Sequence, residues 1–598
     1  MKNTHSFHIP VMGIGFTIDS PLKVAQYGID SVISLVDDIL IEKMRKLYSE
    51  KFKLPYKEIT DKVADFRAKR ITAYLNFLHD QTEVKLKQLK NKAFEDNKNL
   101  KEYMAMLPEY STLKIDFFRL LEAGFDFSEL KKWTAAHLKM GSIDVNIMTK
   151  VDKDNYTKKE LLPIEYNDAH AALRGFAKSK LASSVVLSAG MNPRLYSYIS
   201  NFNDFFPDES GYIKKKIILK VSDYRSAFIQ GKFLAKKGLW VSEYRIESGL
   251  NCGGHAFATE GFLLGPVLNE FKENKEKLKS ETQQLLIEAL KEANKEIPTF
   301  NLDLKITTQG GVGTDQEHEF LIKEYQLDSV GWGSPFLLVP EATSVDDSTL
   351  EKLVKAKEED LYLSNTSPLG VPFNTLKGNT KDAEKQSFIA KNRPGSACPN
   401  KFIALDKEFN ESGLCTASRT YQFLKLKQLE GLALQTDEKE KRKNDITAKS
   451  CICVGLSTST LLLNKMDTKK VGNGVSVCPG PNMAYYDKIV SLRGITDHIY
   501  GRKNMMTRAD RPNVFVKELS LYTKHLQEKV ENMKTNFDKK QLRSLKKFKN
   551  NLEDGINYYI NIFTTQKQTF VSQKKMLLAS LKIAQDKLTV ISLALEEL

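Results

Sequence analysis

Short apolar runs alternate with longer amphipathic segments over the first 340 residues of the chain. Apolar runs that end in glycine or small polar residues are typical of strands, whereas apolar residues three and four positions apart are typical of helices. Helices are predicted at DSPLKVAQYG, capped by Asp19 or Ser20, and at DYRSAFIQGKFLAKKG and QEHEFLIKEY. Strands are predicted in the segments 9–16, 29–36, 183–190, 215–222, 238–249, 302–311 and 327–336.

Strands that alternate with helices of this length predict βα units around a parallel sheet. Several of the strands end in glycine, as expected at the edge where a (β/α)8 TIM barrel builds its active site. We therefore predict an α/β barrel, with a doubly wound open sheet as the alternative that periodicity cannot exclude.

The pattern also divides the chain into five parts. Residues 1–40 read as the first βαβ part of the barrel, and residues 41–180 as a mainly helical insertion or lid. The rest of the barrel is predicted over 181–345, followed by an irregular region that contains most cysteines at 346–510. Residues 511–598 carry two apolar stripes at helical spacing and predict a C-terminal helical region.

Composition is that of a soluble globular protein, with 598 residues, 41% hydrophobic and 28% charged. The net charge of +15 is compatible with nucleic acid or an acidic carrier protein as partner, but the lysines are spread over amphipathic helix faces. No run approaches the roughly 18 apolar residues of a membrane span, and the N-terminal segment lacks a basic leader. We expect a cytoplasmic location.

Two successive predicted strands end in glycine-rich loops. The first carries Gln309, Gly310 and Gly311, and the second carries Gly331, Gly333 and Ser334. Glycines between a strand and a helix let main-chain N–H groups approach an anion, and the helix N-terminus adds positive charge. Two adjacent loops of this kind are typical of the phosphate site of many barrels. The dinucleotide fingerprint G-x-G-x-x-G is absent from the sequence.

Five segments, in this order, resemble the nitronate monooxygenase family: IPVMGIGF, VVLSAGMNP, KKGLWVSEYRIESGLNCGGHAF, ITTQGGVGT and LDSVGWGSPF. That family consists of FMN-dependent TIM barrels and includes flavin enoyl-acyl-carrier-protein reductases and acyl-carrier-protein dehydrogenase/isomerases. The segment after the barrel is similar to that of the enoyl-reductase subunit of polyunsaturated fatty acid synthases. The resemblance covers roughly residues 8–40 and 180–378.

The resemblance implies that FMN lies across the C-terminal mouth of the barrel. Main-chain groups of Met12 and Gly13 would then lie beside the flavin ring, and Gln309 would bond to it. The phosphate would be held by the two glycine loops, through Gly310, Gly311, Gly331, Gly333 and Ser334.

The motif Gly253-Gly254-His255 follows a predicted strand. Two glycines permit a close approach of the main chain to flavin and substrate, where a Cβ would intrude. His255 is the predicted catalytic residue, as an acid, a base or a group that orients a carbonyl, with a structural histidine as the alternative. The family usually has Glu-Ala before this motif, whereas this chain has Asn251 and Cys252. We interpret Cys252 as a small residue in a tight place.

Five cysteines lie within about eighty residues after the predicted barrel. Clustered thiols in a reducing compartment favour a metal over a disulfide, and some members of the resembled group carry a [4Fe–4S] cluster. Zinc and unliganded thiols stay open as alternatives, because the spacing matches no tight C-x-x-C signature. The candidate ligands are Cys398, Cys415, Cys451, Cys453 and Cys478.

The sequence therefore predicts an FMN-dependent oxidoreductase of fatty acid metabolism that acts on an acyl chain. The predicted partners are that acyl chain, on an acyl carrier protein in one form of the hypothesis, and a second copy in a homodimer. A nitronate monooxygenase that uses dioxygen is the second hypothesis. The third, of another class, is a nucleic-acid-binding or scaffold protein on a barrel without flavin.

Overall fold

The computed structural model describes residues 4–92, 98–124, 127–157, 160–188, 190–256, 260–535, 537–566 and 570–598. Eight parallel strands close into a barrel in which neighbours in sequence are neighbours in space, and the last strand pairs with the first. The predicted TIM barrel is thus confirmed, and the open sheet is excluded. The strands are β1 (Phe7–Ile9), β2 (Asp30–Ser34), β3 (Ile143–Met148), β4 (Ser184–Ser188), β5 (Lys216–Val221), β6 (Val241–Glu247), β7 (Lys305–Gln309) and β8 (Ser329–Gly331).

Helices follow the strands and cover the barrel. Each of the eight strands is followed by at least one helix, as a (β/α)8 barrel requires. The described helices are α1 (Ser20–Val24), α2 (Asp38–Lys51), α3 (Phe66–Lys92), α4 (Lys98–Met106), α5 (Thr112–Glu122), α6 (Phe127–His137), α7 (Asp168–Ala177), α8 (Pro193–Ile199), α9 (Tyr224–Ala235), α10 (Leu264–Glu292), α11 (Asp315–Glu324), α12 (Asp347–Lys355), α13 (Thr380–Ala390), α14 (Arg419–Glu430), α15 (Thr436–Ala448), α16 (Ile452–Leu463), α17 (Leu492–Ile499), α18 (Val514–Thr535), α19 (Lys539–Thr565) and α20 (Lys574–Glu596).

Two sequence expectations need correction at the start of the chain. The first strand ends at Ile9, because the chain turns from Gly13 onward, where φ is +53°. Helix α1 begins at Ser20 after Asp19, but the Asp19 side chain makes no cap hydrogen bond. Its carboxylate instead accepts from Tyr48 and Ser344, which come from distant parts of the chain.

The range 41–180, predicted as a mainly helical insertion, contains part of the barrel. Strand β3 and helix α7 lie inside it, and α2 is the barrel helix that follows β2. The additional helices between β2 and β3 are α3 to α6. The proposed irregular region likewise contains helices α13 to α17 and a two-stranded hairpin, β9 (Leu361–Ser364) with β10 (Phe373–Leu376). A smaller hairpin joins Tyr156–Thr157 to Glu160–Leu161.

The barrel wall is apolar outside and largely polar inside. Residues that point outward, such as Val145 and Ile147 on β3, belong to the main hydrophobic core beneath the helices. The alternate residues, Asp144 and Asn146, share the interior with side chains such as Glu243 of β6. Only a small apolar layer, of Val32, Val186 and Ile218, interrupts the polar interior of the described barrel.

Helix α16 lies against the loop that follows β1 at the C-terminal mouth of the barrel. The Gly15 N–H donates to the Leu456 carbonyl (3.0 Å), and the Thr460 hydroxyl donates to the Gly15 carbonyl (2.7 Å). Of the described helices, no single one is long and apolar enough to cross a membrane. The pair Thr436–Thr447 and Ile452–Leu463, bent by 43°, reaches that length and composition only when taken together.

Candidate functional site

The two glycine-rich loops lie side by side at the mouth, because they follow the adjacent strands β7 and β8. Gly310 and Gly311 have φ of +113° and +81°, conformations that favour glycine. A Cβ on Gly310 would lie 2.6 Å from the Ser248 hydroxyl, and one on Gly311 would press on Leu250. Glycine at both positions thus permits a close approach to the loop that follows β6.

The carbonyl side of the first loop is tied to the protein by side chains. Ser248 Oγ donates to the Gly310 carbonyl (2.8 Å), and Asn482 Nδ2 donates to the carbonyls of Gly311 (3.0 Å) and Val312 (2.7 Å). Arg511 Nη2 also donates to the Gly311 carbonyl (2.7 Å). These bonds fix the orientation of the peptide groups in the loop.

A buried ion pair supports the same loop. Arg511 Nη1 and Nη2 donate to the two carboxylate oxygens of Glu317, at 2.7 and 2.9 Å. The Glu317 carboxylate also accepts from the N–H groups of Gly313 (2.9 Å) and Val514 (2.7 Å). Both charged side chains are at least 95% buried. Glu317 and Arg511 therefore join the loop after β7 to the beginning of α18.

The N–H side of the two loops is unpaired. Within the described part of the chain, the main-chain N–H groups of Gly310, Gly311, Gly333 and Ser334 donate no hydrogen bond to protein. All four residues are buried. Buried N–H groups without an acceptor are rare in folded proteins, so four of them in adjacent loops indicate a site for an anion.

The chemistry of this donor set fits the phosphate of FMN. Main-chain N–H groups of strand-to-helix loops are typical phosphate ligands, and neutral donors avoid the cost of burying a free cation. A Cβ on Gly331 would lie 2.7 Å from Gln309 Cβ and 2.9 Å from His8 Nε2, so glycine at this position leaves room for those two side chains. Cys252 packs against Gly333, as expected of a small residue in a tight place. Burial raises the pKa of the Cys252 thiol to about 12.

A polar layer lines the barrel at the level of the strand ends. Lys220 of β5 forms an ion pair with Glu247 of β6 (2.9 Å), and Gln309 Nε2 donates to the Glu247 carboxylate (2.9 Å). The buried Oδ1 atom of Asn146 on β3 has no hydrogen-bond partner among the residues that the structure describes. Such a layer offers donors and acceptors to a polar heterocycle that lies over the mouth.

The Gly253-Gly254-His255 motif lies in a loop that is held in place by hydrogen bonds. The Asn251 carboxamide accepts from the Gly253 N–H (2.7 Å) and donates to the His255 carbonyl (3.0 Å). The Asn374 N–H of β10 donates to the Gly254 carbonyl (2.9 Å). Among the described residues, a Cβ on Gly254 would meet nothing within 4 Å, so this glycine borders open space there.

His255 lies between this loop and the β9–β10 hairpin. Its Nε2 atom shares a hydrogen bond of 2.6 Å with the Ser367 hydroxyl, and its ring contacts Phe373 edge to face, with centroids 5.0 Å apart. Burial lowers the pKa of His255 from 6.5 to about 4. The imidazole is therefore neutral near pH 7 and has one donor and one acceptor nitrogen.

Helix α18 fixes both ends of the loop that carries His255. Glu518 accepts from the N–H groups of Gly249 and Leu264, each at 2.8 Å. Burial raises the pKa of Glu518 to about 7. The C-terminal helical region is thus a structural part of the site.

Cys478 lies apart from the other cysteines of its region. The N–H groups of Gly13 and Gly254 point to its sulfur, and burial raises the pKa of the thiol to about 11. The Met12 N–H donates to the Thr17 hydroxyl (3.3 Å). Cys478 therefore bridges the loop after β1 and the Gly253-Gly254 segment, the two places predicted to approach a flavin.

The other four cysteines converge. Cys451 and Cys453 have sulfur atoms 3.9 Å apart, and the Cys398 thiol bonds to those of Cys415 and Cys451. All four are buried and none forms a disulfide. Hydrogen bonds from Cys398 and Cys453 lower the pKa of Cys451, with help from Lys381. Four of the five candidate cysteines thus lie together, and Cys478 lies apart from them.

A metal at this cluster is not supported. In the part of the chain that the structure describes, no group of three or more His, Cys, Asp or Glu residues has an arrangement suited to a metal ion. The neighbouring thiols bond to one another instead. The predicted [4Fe–4S] cluster therefore does not fit these residues as arranged.

Several residues that support the site were not predicted from the sequence. Asn482 and Arg511 reach the first glycine loop from about 170 and 200 residues away. Ser367 and Glu518 hold the His255 loop from about 110 and 270 residues away. Their local sequences carry no motif, and only their position as polar residues between apolar ones could have indicated a buried role.

Comparison with solved structures finds matches of low identity and low TM-score. FabK from Thermotoga maritima is 13% identical, with a TM-score of 0.35, covering 83% of this chain and 92% of that one. The enoyl reductase domain of MlnA from Bacillus amyloliquefaciens is 14% identical, with a TM-score of 0.31 and coverage of 68% and 89%. Nitroalkane oxidase from Streptomyces ansochromogenes is 9% identical, with a TM-score of 0.32 and coverage of 83% and 96%. These include proteins of the kinds that the sequence resemblance named.

No family model and no curated protein matches the sequence.

Proposed function

We propose that this protein is an FMN-dependent oxidoreductase that acts on an acyl chain. The observation that carries the proposal is the set of four buried, unpaired N–H groups in the two glycine loops. Their position at the C-terminal mouth of a barrel is the usual position of a phosphate site in this fold. FMN, when bound, would supply the hydride chemistry.

The residues that would hold FMN fall into two groups. The N–H groups of Gly310, Gly311, Gly333 and Ser334 would bind the phosphate. The polar layer of Asn146, Lys220, Glu247 and Gln309 would face the ring system, where the unpaired Asn146 Oδ1 would accept a hydrogen bond. Glu247, as an anion between Lys220 and Gln309, keeps both partners in place.

His255 would handle the proton or orient the acyl carbonyl. Depending on the tautomer that the bond to Ser367 selects, its neutral imidazole would donate a hydrogen to a carbonyl oxygen or accept a proton. The bond to Ser367 fixes the ring, and the open space beside Gly254 leaves room for substrate near it. The net charge of +15 favours an acidic acyl carrier protein as the form in which the acyl chain arrives.

The test uses protein loaded with FMN and reduced under anaerobic conditions. Adding a 2-enoyl thioester, on pantetheine or on acyl carrier protein, should reoxidise the flavin and yield the saturated thioester. A saturated thioester is the matched control for reduced protein and should leave the flavin reduced. Turnover of small nitronates with dioxygen, without reaction of enoyl thioesters, would contradict the acyl proposal and favour nitronate oxidation.

A further inference from the structure

The last helix, α20, has two apolar faces, of which only one is used inside the chain. Its inner face packs against α18 and α19. That face is buried and consists of Leu577, Leu581, Ala584, Leu588, Ile591 and Leu595. A helix of a soluble bundle normally presents polar residues on the opposite side.

The outer face of α20 is instead apolar and exposed. Met576, Ile583, Val590 and Leu593 are 55%, 57%, 67% and 58% exposed. With the exposed Ala579 and Asp586, they occupy positions 576, 579, 583, 586, 590 and 593, the alternating spacing of three and four that forms a coiled-coil seam. The seam is about 26 Å long at 1.5 Å per residue.

We propose that this outer face of α20 packs antiparallel against α20 of a second copy of this chain. An isologous contact of this kind is the commonest way in which soluble chains associate. The seam is symmetric in sequence position, so that Met576 would face the partner's Leu593 and Ala579 the partner's Val590. Ile583 would face the partner's Asp586.

Charge selects the antiparallel direction. In that direction Asp586 lies close to the partner's Lys582, which precedes the facing Ile583, and Lys575 lies close to the partner's Glu596, because each pair is within two positions of the seam's register. In a parallel pair the two Asp586 carboxylates would meet in the seam, which like charges disfavour. Within one chain, Lys582 and Asp586 are already 3.5 Å apart, and both side chains are about 70% exposed.

The exposed apolar area is roughly 400 Å² per copy, which is small for a stable dimer. We therefore expect a dissociation constant in the micromolar range. This inference is independent of the proposed chemistry, since no residue of the glycine loops or the His255 loop takes part.

Sedimentation velocity over a concentration series tests the proposal. The full chain should shift from monomer to dimer as concentration rises, and Ile583→Glu and Val590→Glu should each keep it monomeric. Ile229→Glu is the matched control, because Ile229 lies on α9 and is 51% exposed. Asp586→Lys should weaken the dimer, and the double change Asp586→Lys with Lys582→Asp should restore it.

A cross-link fixes the direction of packing. A chain with both Ala579→Cys and Val590→Cys should form a covalent dimer on mild oxidation, whereas Ala579→Cys alone should not. A chain that stays monomeric throughout, or a dimer insensitive to Ile583→Glu, would overturn the proposal. So would a cross-link formed by Ala579→Cys alone, or binding of α20 to phospholipid vesicles in place of self-association.

Discussion

The buried pair Arg511–Glu317 offers the sharpest test of how the C-terminal region supports the glycine loops. Replacing Arg511 by Met removes both hydrogen bonds to Glu317 and the one to the Gly311 carbonyl. The Glu317 carboxylate then stays buried without its cation. Breaking a buried pair in this way costs about 3–5 kcal/mol of the free energy of unfolding.

The assay is equilibrium unfolding in urea, followed by tryptophan fluorescence, with FMN affinity measured alongside. Arg511→Met should lower the unfolding midpoint and weaken FMN binding, because the Gly311 peptide loses a donor that orients it. Adding Glu317→Gln should recover part of the stability, since it removes the unpaired charge while retaining an acceptor for the loop N–H groups. Arg508→Met is the control, because its pair with Asp510 is exposed, and it should leave the midpoint unchanged. Equal effects of the two arginine substitutions would refute the reasoning.

Three further predictions concern the loops themselves. Gly311→Ala should destabilise the protein by about 2–4 kcal/mol in urea unfolding and reduce FMN binding, because alanine is strained at a positive φ and its Cβ would press on Leu250. Gly254 has a similar φ but borders open space, so Gly254→Ala should lose only the stability that the backbone strain costs and should slow enoyl thioester turnover. His255→Ala should abolish turnover while FMN stays bound, whereas Ser367→Ala should lower kcat less, and unchanged turnover in His255→Ala would remove its assigned role. Because burial lowers the pKa of His255 from 6.5 to about 4, the neutral histidine contributes about 3 kcal/mol to the free energy of unfolding above pH 6.5, and this contribution is lost as the pH falls towards 4. Over that pH window the free energy of unfolding of His255→Asn should therefore fall less than that of the unchanged protein.

The sequence predicted seven of the eight barrel strands, including β6, in which Glu243 and Arg245 alternate with apolar residues. It missed β3, in which Asp144 and Asn146 alternate with apolar residues in the same way, because this run lies in the range that was read as a helical insertion. Both lie on the inner face of a barrel whose interior is polar, a property that strand propensity does not reveal. The first strand was predicted too long, because apolar residues continue through the turn at Gly13.

Local motifs located the glycine loops and His255, but not what holds them. Gly310, Gly311, Gly333 and Ser334 stand where strands end, so their spacing was sufficient to bring them together. The contacts from Arg511 depend on tertiary packing across about 200 residues and leave no trace in local sequence. The cysteines show the same limit, because four of five converge through packing while Cys478 lies at the mouth.

The central claim is that the unpaired N–H groups of the two glycine loops bind the phosphate of FMN. Titration of flavin-free protein with FMN and with riboflavin, followed by quenching of flavin fluorescence, tests it most directly. Two to four charge-assisted hydrogen bonds should make FMN bind at least about 100-fold more tightly than riboflavin. Equal affinity for the two flavins, or binding of neither, would contradict the account.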